Sequence, residues 1–98
     1  MNINTQKNNE TVTIAVDGRL DTTTAPMLES EINEQASDAK MLVLNLNGLE
    51  YISSAGLRVL LASQKKMNQQ GSMKITGVCE AVMEVFEMTG FADILTIE

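Results

Sequence analysis

The sequence predicts a single α/β domain whose mixed, mostly parallel sheet is combined with about three helices in the order β-β-α-β-α-β-α-β. The length of 98 residues suits one hydrophobic core. Short apolar runs alternate with amphipathic segments, which is typical of parallel strands joined by right-handed helical crossovers. Only three polar residues separate the first two strands, which predicts an antiparallel hairpin. We therefore expect residues 1–98 to form one domain.

The first half of the chain contains the hairpin and one helix. Strands are predicted at Ile3–Lys7 and Thr11–Val16, and Asp17-Gly18 is expected to end the second strand. Hydroxyl and carboxylate residues then precede Pro26, which is tolerated in a first helical turn. A helix should follow to about Ala36, because apolar residues recur at a spacing of four.

A strand followed by a helix forms the centre of the chain. Met41–Leu46 is a short apolar run bounded by the turn-forming pair Asn47-Gly48, and a helix should end at Gly71. Ser53 or Ser54 is expected at its N-cap, beside unpaired backbone N–H groups. The predicted inner and outer faces of this helix are Leu57, Leu60, Leu61 and Met67, and Arg58, Lys65 and Gln69, respectively.

The last third should add a strand, a helix and a closing strand. The strand is predicted at Met73–Thr76, the helix at Glu80–Thr89, and the closing strand at Ile94–Ile97. Three glutamates at helical spacing, Glu80, Glu84 and Glu87, are more typical of a solvated face than of a cation site.

Charge and composition restrict the partners that we expect. Thirteen acidic residues exceed seven basic ones, giving a net charge of −6 that disfavours nucleic acid and anionic membranes and favours a protein partner. The single Cys79 forms no internal disulfide, and we interpret it as a structural residue in a reducing compartment. No apolar run approaches the roughly 20 residues of a membrane span. We expect a cytoplasmic protein.

The residues present argue against catalysis. The chain has no histidine, the commonest general base, and it lacks the glycine-rich fingerprints that hold nucleotide phosphates. Ser54 therefore has no imidazole to activate it as a nucleophile. We expect neither an enzyme nor a bound cofactor or metal.

A hydroxyl at a helix start is a favourable place for a regulated phosphate. Phosphorylation of Ser54 would add about −1.5 to −2 charges where a helix N-terminus stabilises an anion. The dianion would oppose docking of a partner through desolvation and repulsion. The alternative is that Ser53 and Ser54 only cap the helix.

Three segments resemble the STAS domain of anti-sigma factor antagonists: Gly18–Asp21, Leu44–Leu57 and Val82–Phe91. The resemblance extends over essentially the whole chain, and its central motif is Ser53-Ser54-Ala55-Gly56-Leu57 between a strand and a helix. Ser53 and Asn45 depart from the family pattern, since many members have aspartate at both positions.

The resemblance implies that Ser54 is phosphorylated by an anti-sigma factor serine kinase and dephosphorylated by a serine phosphatase. It also implies that Asp21 borders the partner surface, although a cap or turn role for Asp21 remains open. ATP would belong to the kinase. The residues expected to bind the partner are Asp21, Thr22, Thr23, Ser53, Ser54, Ala55, Gly56, Leu57 and Arg58.

Further alternatives remain open on sequence grounds. Ser53 could be a second phosphoacceptor beside Ser54. The same fold could serve as an unphosphorylated scaffold or subunit that binds a regulator other than an anti-sigma factor. Arg58 could contact the loop, a partner carboxylate or only solvent. Met83 or Met88 could add an adaptable apolar contact, although packing in the core is the commoner role of methionine.

Overall fold

A computed structural model describes residues 1–98 and shows a four-stranded sheet in the order β1-β2-β3-β4. β1 and β2 are antiparallel, whereas the other neighbouring strands are parallel. This confirms the predicted fold class. The elements are β1 Asn2–Asn8, β2 Thr11–Leu20, α1 Ala25–Gln35, β3 Met41–Ile52, α2 Ser54–Gln70, β4 Ser72–Thr76 and α3 Glu80–Thr89, followed by a 3₁₀ turn at Phe91–Asp93.

The helices cover one face of the sheet. Ile14, Leu44 and Ile75 are neighbours across β2, β3 and β4, and all are completely buried. Thr5, the β1 neighbour of Ile14, donates a hydrogen bond to Glu31 of α1, which places α1 on this same face. The buried apolar side chains of all three helices belong to the same core as the buried side chains of these strands. The opposite face is only partly buried, as expected when nothing packs against it.

β2 and β3 are longer than the sequence predicts. They continue to Leu20 and Ile52, through register shifts between Ala15 and Asp17 and between Gly18 and Arg19. The predicted ends at Asp17-Gly18 and Asn47-Gly48 are therefore wrong. Gly18 has φ +102, a conformation that glycine adopts without strain, so the chain changes register here without leaving the sheet.

The predicted closing strand is reduced to a single parallel bridge between Ile97 and Ile75. Ile75 donates its N–H to the Thr96 carbonyl at 2.8 Å, and Glu98 donates its N–H to the Ile75 carbonyl at 2.8 Å. The preceding 3₁₀ turn uses residues that a longer strand would need. Leu95 is buried and attaches this segment to the core. None of the helices combines the length and the apolar character needed to cross a membrane.

Candidate functional site

The candidate site lies at the carboxyl ends of β2 and β3. These parallel strands end side by side, and the Ser53 N–H donates to the Leu20 carbonyl at 2.8 Å. Two segments therefore meet at one edge of the sheet: the loop that leads from β2 into α1, and the junction between β3 and α2. The sequence predicted both segments as parts of the partner surface, and the structure brings them together.

The two serines at the start of α2 have different roles. Ser53 is the N-cap, with extended backbone angles, and its Oγ accepts a hydrogen bond from the Gly56 N–H at 3.3 Å. Ser54 is the first residue of the helix; it is exposed, and its hydroxyl makes no hydrogen bond within the protein. Capping therefore occupies the hydroxyl of Ser53 and leaves the Ser54 hydroxyl free in solvent.

The next turn of α2 is packed against the strand ends. A Cβ atom on Gly56 would lie 2.8 Å from Leu20 Cγ and 2.9 Å from Ile52 Cγ1, so this position requires glycine. Gly56 is buried and Leu57 is only 6% exposed. Both were predicted to bind a partner, but the structure places them beneath the surface. Their role is to hold the helix start against the sheet.

Asp21 organises the loop before α1. Its Oδ1 accepts hydrogen bonds from the Thr23 N–H at 3.0 Å and the Thr24 N–H at 3.1 Å. The Thr24 bond, above all, lowers the pKa of the Asp21 carboxyl below its ordinary value, although partial burial opposes the shift. Asp21 therefore has the turn-forming role that the sequence left open. Thr22 and Thr23 are exposed at the tip of this loop.

A groove of about 460 Å³ separates the first halves of α1 and α2, next to the candidate site. Its lining includes Thr22 from the loop and Ala55 from the helix start, so it is continuous with the predicted partner surface. Leu61, predicted to face the core, is partly exposed and lines this groove instead. Small side chains leave the space open, and their helical spacing on α2 was a signal available in the sequence: Ala55, Val59 and Ala62.

Arg58 lies on the wall of this groove. The side chain is exposed, makes no hydrogen bond to another side chain, and takes part in no ion pair. The one salt bridge in the protein joins Lys74 to Glu98 at 3.4 Å, and Lys74 lies in β4, at the edge of the sheet. Glu29 lines the groove as well but forms no salt bridge with Arg58, and Lys65 adds a second positive charge to the lining.

Sequence reasoning missed a stacked pair beside the site. The Arg19 guanidinium lies 4.1 Å from the centre of the Tyr51 ring, and the two residues are neighbours across β2 and β3. Tyr51 is 40% exposed. The pairing depends on the register shifts near Gly18, so the sequence offered no signal for it.

The remaining predicted candidates lie elsewhere. Cys79 is half-buried before α3, and its Sγ contacts the Leu49 carbonyl at 3.4 Å, in keeping with a structural role. Met88 is 81% exposed, whereas Met83 packs partly against the core. The α3 glutamates are exposed, and no three or more ligating side chains cluster to hold a metal.

The sheet topology and the two joined loops define a small α/β domain with a single layer of helices and a helix start at the carboxyl edge of its strands. The family model described as "STAS domain" matches residues 2–98. The chain belongs to the STAS domain family.

The alignments with curated relatives span most of the length of each relative. The anti-sigma-B factor antagonist of Bacillus subtilis is 28% identical over 98 residues, spanning 99% of this chain and 90% of the relative. That of Staphylococcus aureus is 29% identical over 99 residues, spanning 99% of this chain and 92% of the relative. BtrV of Bordetella bronchiseptica, described as a putative anti-sigma factor antagonist, is 39% identical over 82 residues, spanning 82% of this chain and 71% of the relative.

Solved structures share the fold. An anti-sigma factor antagonist from Mycobacterium paratuberculosis superposes with a TM-score of 0.88 at 24% identity, covering 98% of this chain and 83% of the other. Unphosphorylated SpoIIAA, described as an anti-sigma factor antagonist, superposes with a TM-score of 0.77 at 16% identity, covering 99% and 87%. The phosphorylated form of Bacillus SpoIIAA gives a TM-score of 0.77 at 17% identity, covering 99% and 91%.

Proposed function

We propose that this protein is an anti-sigma factor antagonist that acts by partner switching. In this scheme the unphosphorylated domain binds an anti-sigma factor serine kinase in the cytoplasm, and the kinase releases its sigma factor. The kinase transfers the γ-phosphoryl group of ATP to Ser54 Oγ, ADP is the leaving group, and the hydroxyl proton passes to a base of the kinase. The complex then separates. A serine phosphatase restores the binding form. Catalysis belongs to the kinase and the phosphatase.

The observation that carries this proposal is the free hydroxyl of Ser54 at the start of α2. Membership of the STAS family and the names of the Bacillus subtilis and Staphylococcus aureus relatives support the general role. The position supports the chemistry, because a phosphate there meets the N-terminal N–H groups of a helix without displacing the Ser53 cap. A kinase can reach an exposed residue without unfolding its substrate.

The proposed partner surface is narrower than the sequence predicted. Gly56 and Leu57 are buried, so the exposed or half-exposed residues around them supply the contacts. These contact residues are Asp21, Thr22, Thr23, Ser53, Ser54, Ala55 and Arg58. Together they form a continuous edge from the β2–α1 loop to the second turn of α2.

The phosphate has to make only a modest change in the free energy of binding to the partner. Changing a complex from half occupied to about 1% occupied needs about 2.7 kcal/mol, at 1.4 kcal/mol for each tenfold change. A dianion placed in an interface loses hydration and repels partner carboxylates, effects that individually reach several kcal/mol. One phosphate on Ser54 is therefore sufficient to separate the complex.

The test uses the purified domain, a candidate anti-sigma kinase and ATP. Phosphopeptide mass spectrometry should find the phosphate on Ser54 and not on Ser53. Ser54→Ala should retain binding to the kinase, whereas Ser54→Asp should weaken it at least tenfold. Ser37→Asp, in the exposed turn after α1, is the matched control and should bind like wild type.

Two outcomes would contradict the proposal. Equal binding by Ser54→Ala and Ser54→Asp would exclude a charge switch at this position. Stable association with a protein that is neither a kinase nor part of a sigma-factor pathway, with Ser54 unmodified in cells, would instead favour the scaffold function.

A further inference from the structure

Arg58 lies four residues after Ser54 in α2, and both side chains are exposed. Residues at this spacing are neighbours on one helix face, with Cβ atoms about 5–6 Å apart. An anion that precedes a cation by four residues is also the more favourable order for an ion pair within a helix. A group attached to Ser54 Oγ therefore lies within reach of the Arg58 guanidinium.

The charge around Arg58 is not balanced in the unmodified protein. The first turn of α2 contains no acidic residue, although an acid is the favourable charge at a helix N-terminus. Arg58, a cation, follows within the second turn and has no ion-pair partner. Glu29 lines the same groove but is not within salt-bridge distance of Arg58. Both the helix start and the guanidinium thus lack an anion.

We infer that a phosphate on Ser54 is bound by the Arg58 guanidinium of the same helix, so that phosphorylation withdraws Arg58 from the groove between α1 and α2. The inference rests on the phosphorylation of Ser54 under the proposed function. Guanidinium groups match phosphate oxygens in a two-pronged arrangement, which makes arginine the appropriate side chain for this contact.

Withdrawal of Arg58 gives phosphorylation a second effect on the partner surface. In the unmodified protein Arg58 is available at the groove to a partner carboxylate, beside Ala55 and Val59. Once Arg58 binds the phosphate, Lys65 is the basic residue that remains in the lining of the groove. Phosphorylation then adds a negative charge and removes a positive one from the same edge.

The experiment installs phosphoserine at position 54 during translation, so no kinase is needed. The phosphate is titrated by ³¹P NMR in wild type, Arg58→Gln and Arg58→Lys. Loss of the pair should raise the proton affinity of the phosphate about twofold in Arg58→Gln, and so raise the pKa of the phosphate. Arg58→Lys should restore part of the difference. High salt should reduce it, since the pair is exposed.

Lys65→Gln is the matched control, because Lys65 lines the same groove but lies eleven residues from Ser54. It should titrate like wild type. Equal titration of wild type and Arg58→Gln, or an equal change in Lys65→Gln, would overturn the inference. Circular dichroism of each variant confirms folding. A failure here leaves kinase binding intact, whereas a failure of the proposed function appears in the kinase experiment alone.

Discussion

Two glycines end helices in this protein, and their surroundings differ sharply. Gly71, after α2, packs so closely on the loop before β3 that a Cβ atom would lie 2.0 Å from the Lys40 carbonyl oxygen. Gly90, after α3, has φ +80, and a Cβ atom there would have no neighbour within 4 Å. The first glycine is required for space and the second only for backbone conformation.

Gly71→Ala should therefore destabilise the protein by about 3 kcal/mol, because backbone atoms rather than a flexible side chain must move. Gly90→Ala should cost about 1 kcal/mol, the penalty for a left-handed conformation in a residue with a Cβ. Urea unfolding of both variants measures the difference. Equal losses would contradict the close approach of Gly71 to Lys40.

The lowered pKa of Asp21 predicts that the stability of the protein depends on pH. The pKa of this carboxyl is lowered in the folded protein, mainly by the Thr24 N–H, from an ordinary value of 3.8. The ionised carboxylate therefore stabilises the fold above that value, and the contribution is lost as the pH falls through the lower folded pKa. The stability difference between wild type and Asp21→Asn should be constant near neutral pH and should shrink below about pH 4. Urea unfolding across pH 2–6 measures it, and a constant difference throughout would contradict this role.

At the level of elements, a side chain from α2 completes the end of α1. Gln70 Nε2 donates to the carbonyls of Ala36 and Ala39, at 3.1 and 2.7 Å. Ala36 is the C-cap of α1, and Ala39 lies three residues further along, in the loop before β3. Gln70 thus joins the end of one helix to the end of another, through residues more than thirty positions apart.

Gln70→Ala should destabilise the protein by about 1 kcal/mol, because the Ala39 carbonyl loses its donor, whereas the Ala36 carbonyl still accepts from the Ala39 N–H. Gln69→Ala is the matched control, since Gln69 is exposed and makes no side-chain hydrogen bond, and it should change stability little. Thermal unfolding compares the two variants. The interpretation is wrong if they are equally stable.

The sequence predicted all four strands of the sheet and all three α-helices, because apolar periodicity is a local property that one core preserves. Local signals were insufficient where pairing between strands determines the ends of an element. Asn47-Gly48 has the composition of a turn, yet pairing of Gly48 with Asp17 keeps this segment within β3. Ile94–Ile97 has the composition of a strand, but only one bridge to β4 forms.

Only part of the candidate site could be predicted from the sequence, because only part of it depends on local signals. A helix cap is local, so a serine at the start of α2 was foreseeable, whereas the choice between Ser53 and Ser54 needed the geometry. The burial of Gly56 depends on Leu20 and Ile52, at the ends of two different strands. Contacts of this kind have no signature in one segment.

For the whole molecule, the carboxyl-terminal segment protects one edge of the sheet. Its bridge to Ile75 satisfies backbone groups of β4, and Leu95 closes the core beneath it. An uncovered strand edge is a template for pairing with other chains. The segment therefore contributes to stability and opposes self-association.

Deletion of residues 94–98 should reduce stability by about 2 kcal/mol, the value of burying one leucine, and should promote association through the exposed β4 edge. Urea unfolding and light scattering measure the two effects. Glu98→Gln is the control, because it removes only the exposed ion pair with Lys74 and should remain monodisperse. Equal behaviour of the two variants would contradict this role.

The adjacent hydroxyls of Ser53 and Ser54 differ in that only the first takes part in the hydrogen bonds of the fold. Because the Ser53 hydroxyl makes the capping hydrogen bond, a substituent on Ser54 breaks no internal contact, and the backbone of the isolated domain should be the same with and without it. A group attached to Ser54 then affects only a molecule that binds to this surface. A phosphate on Ser54, under the proposed function, would therefore change the free energy of binding to a partner and not the fold of the isolated domain.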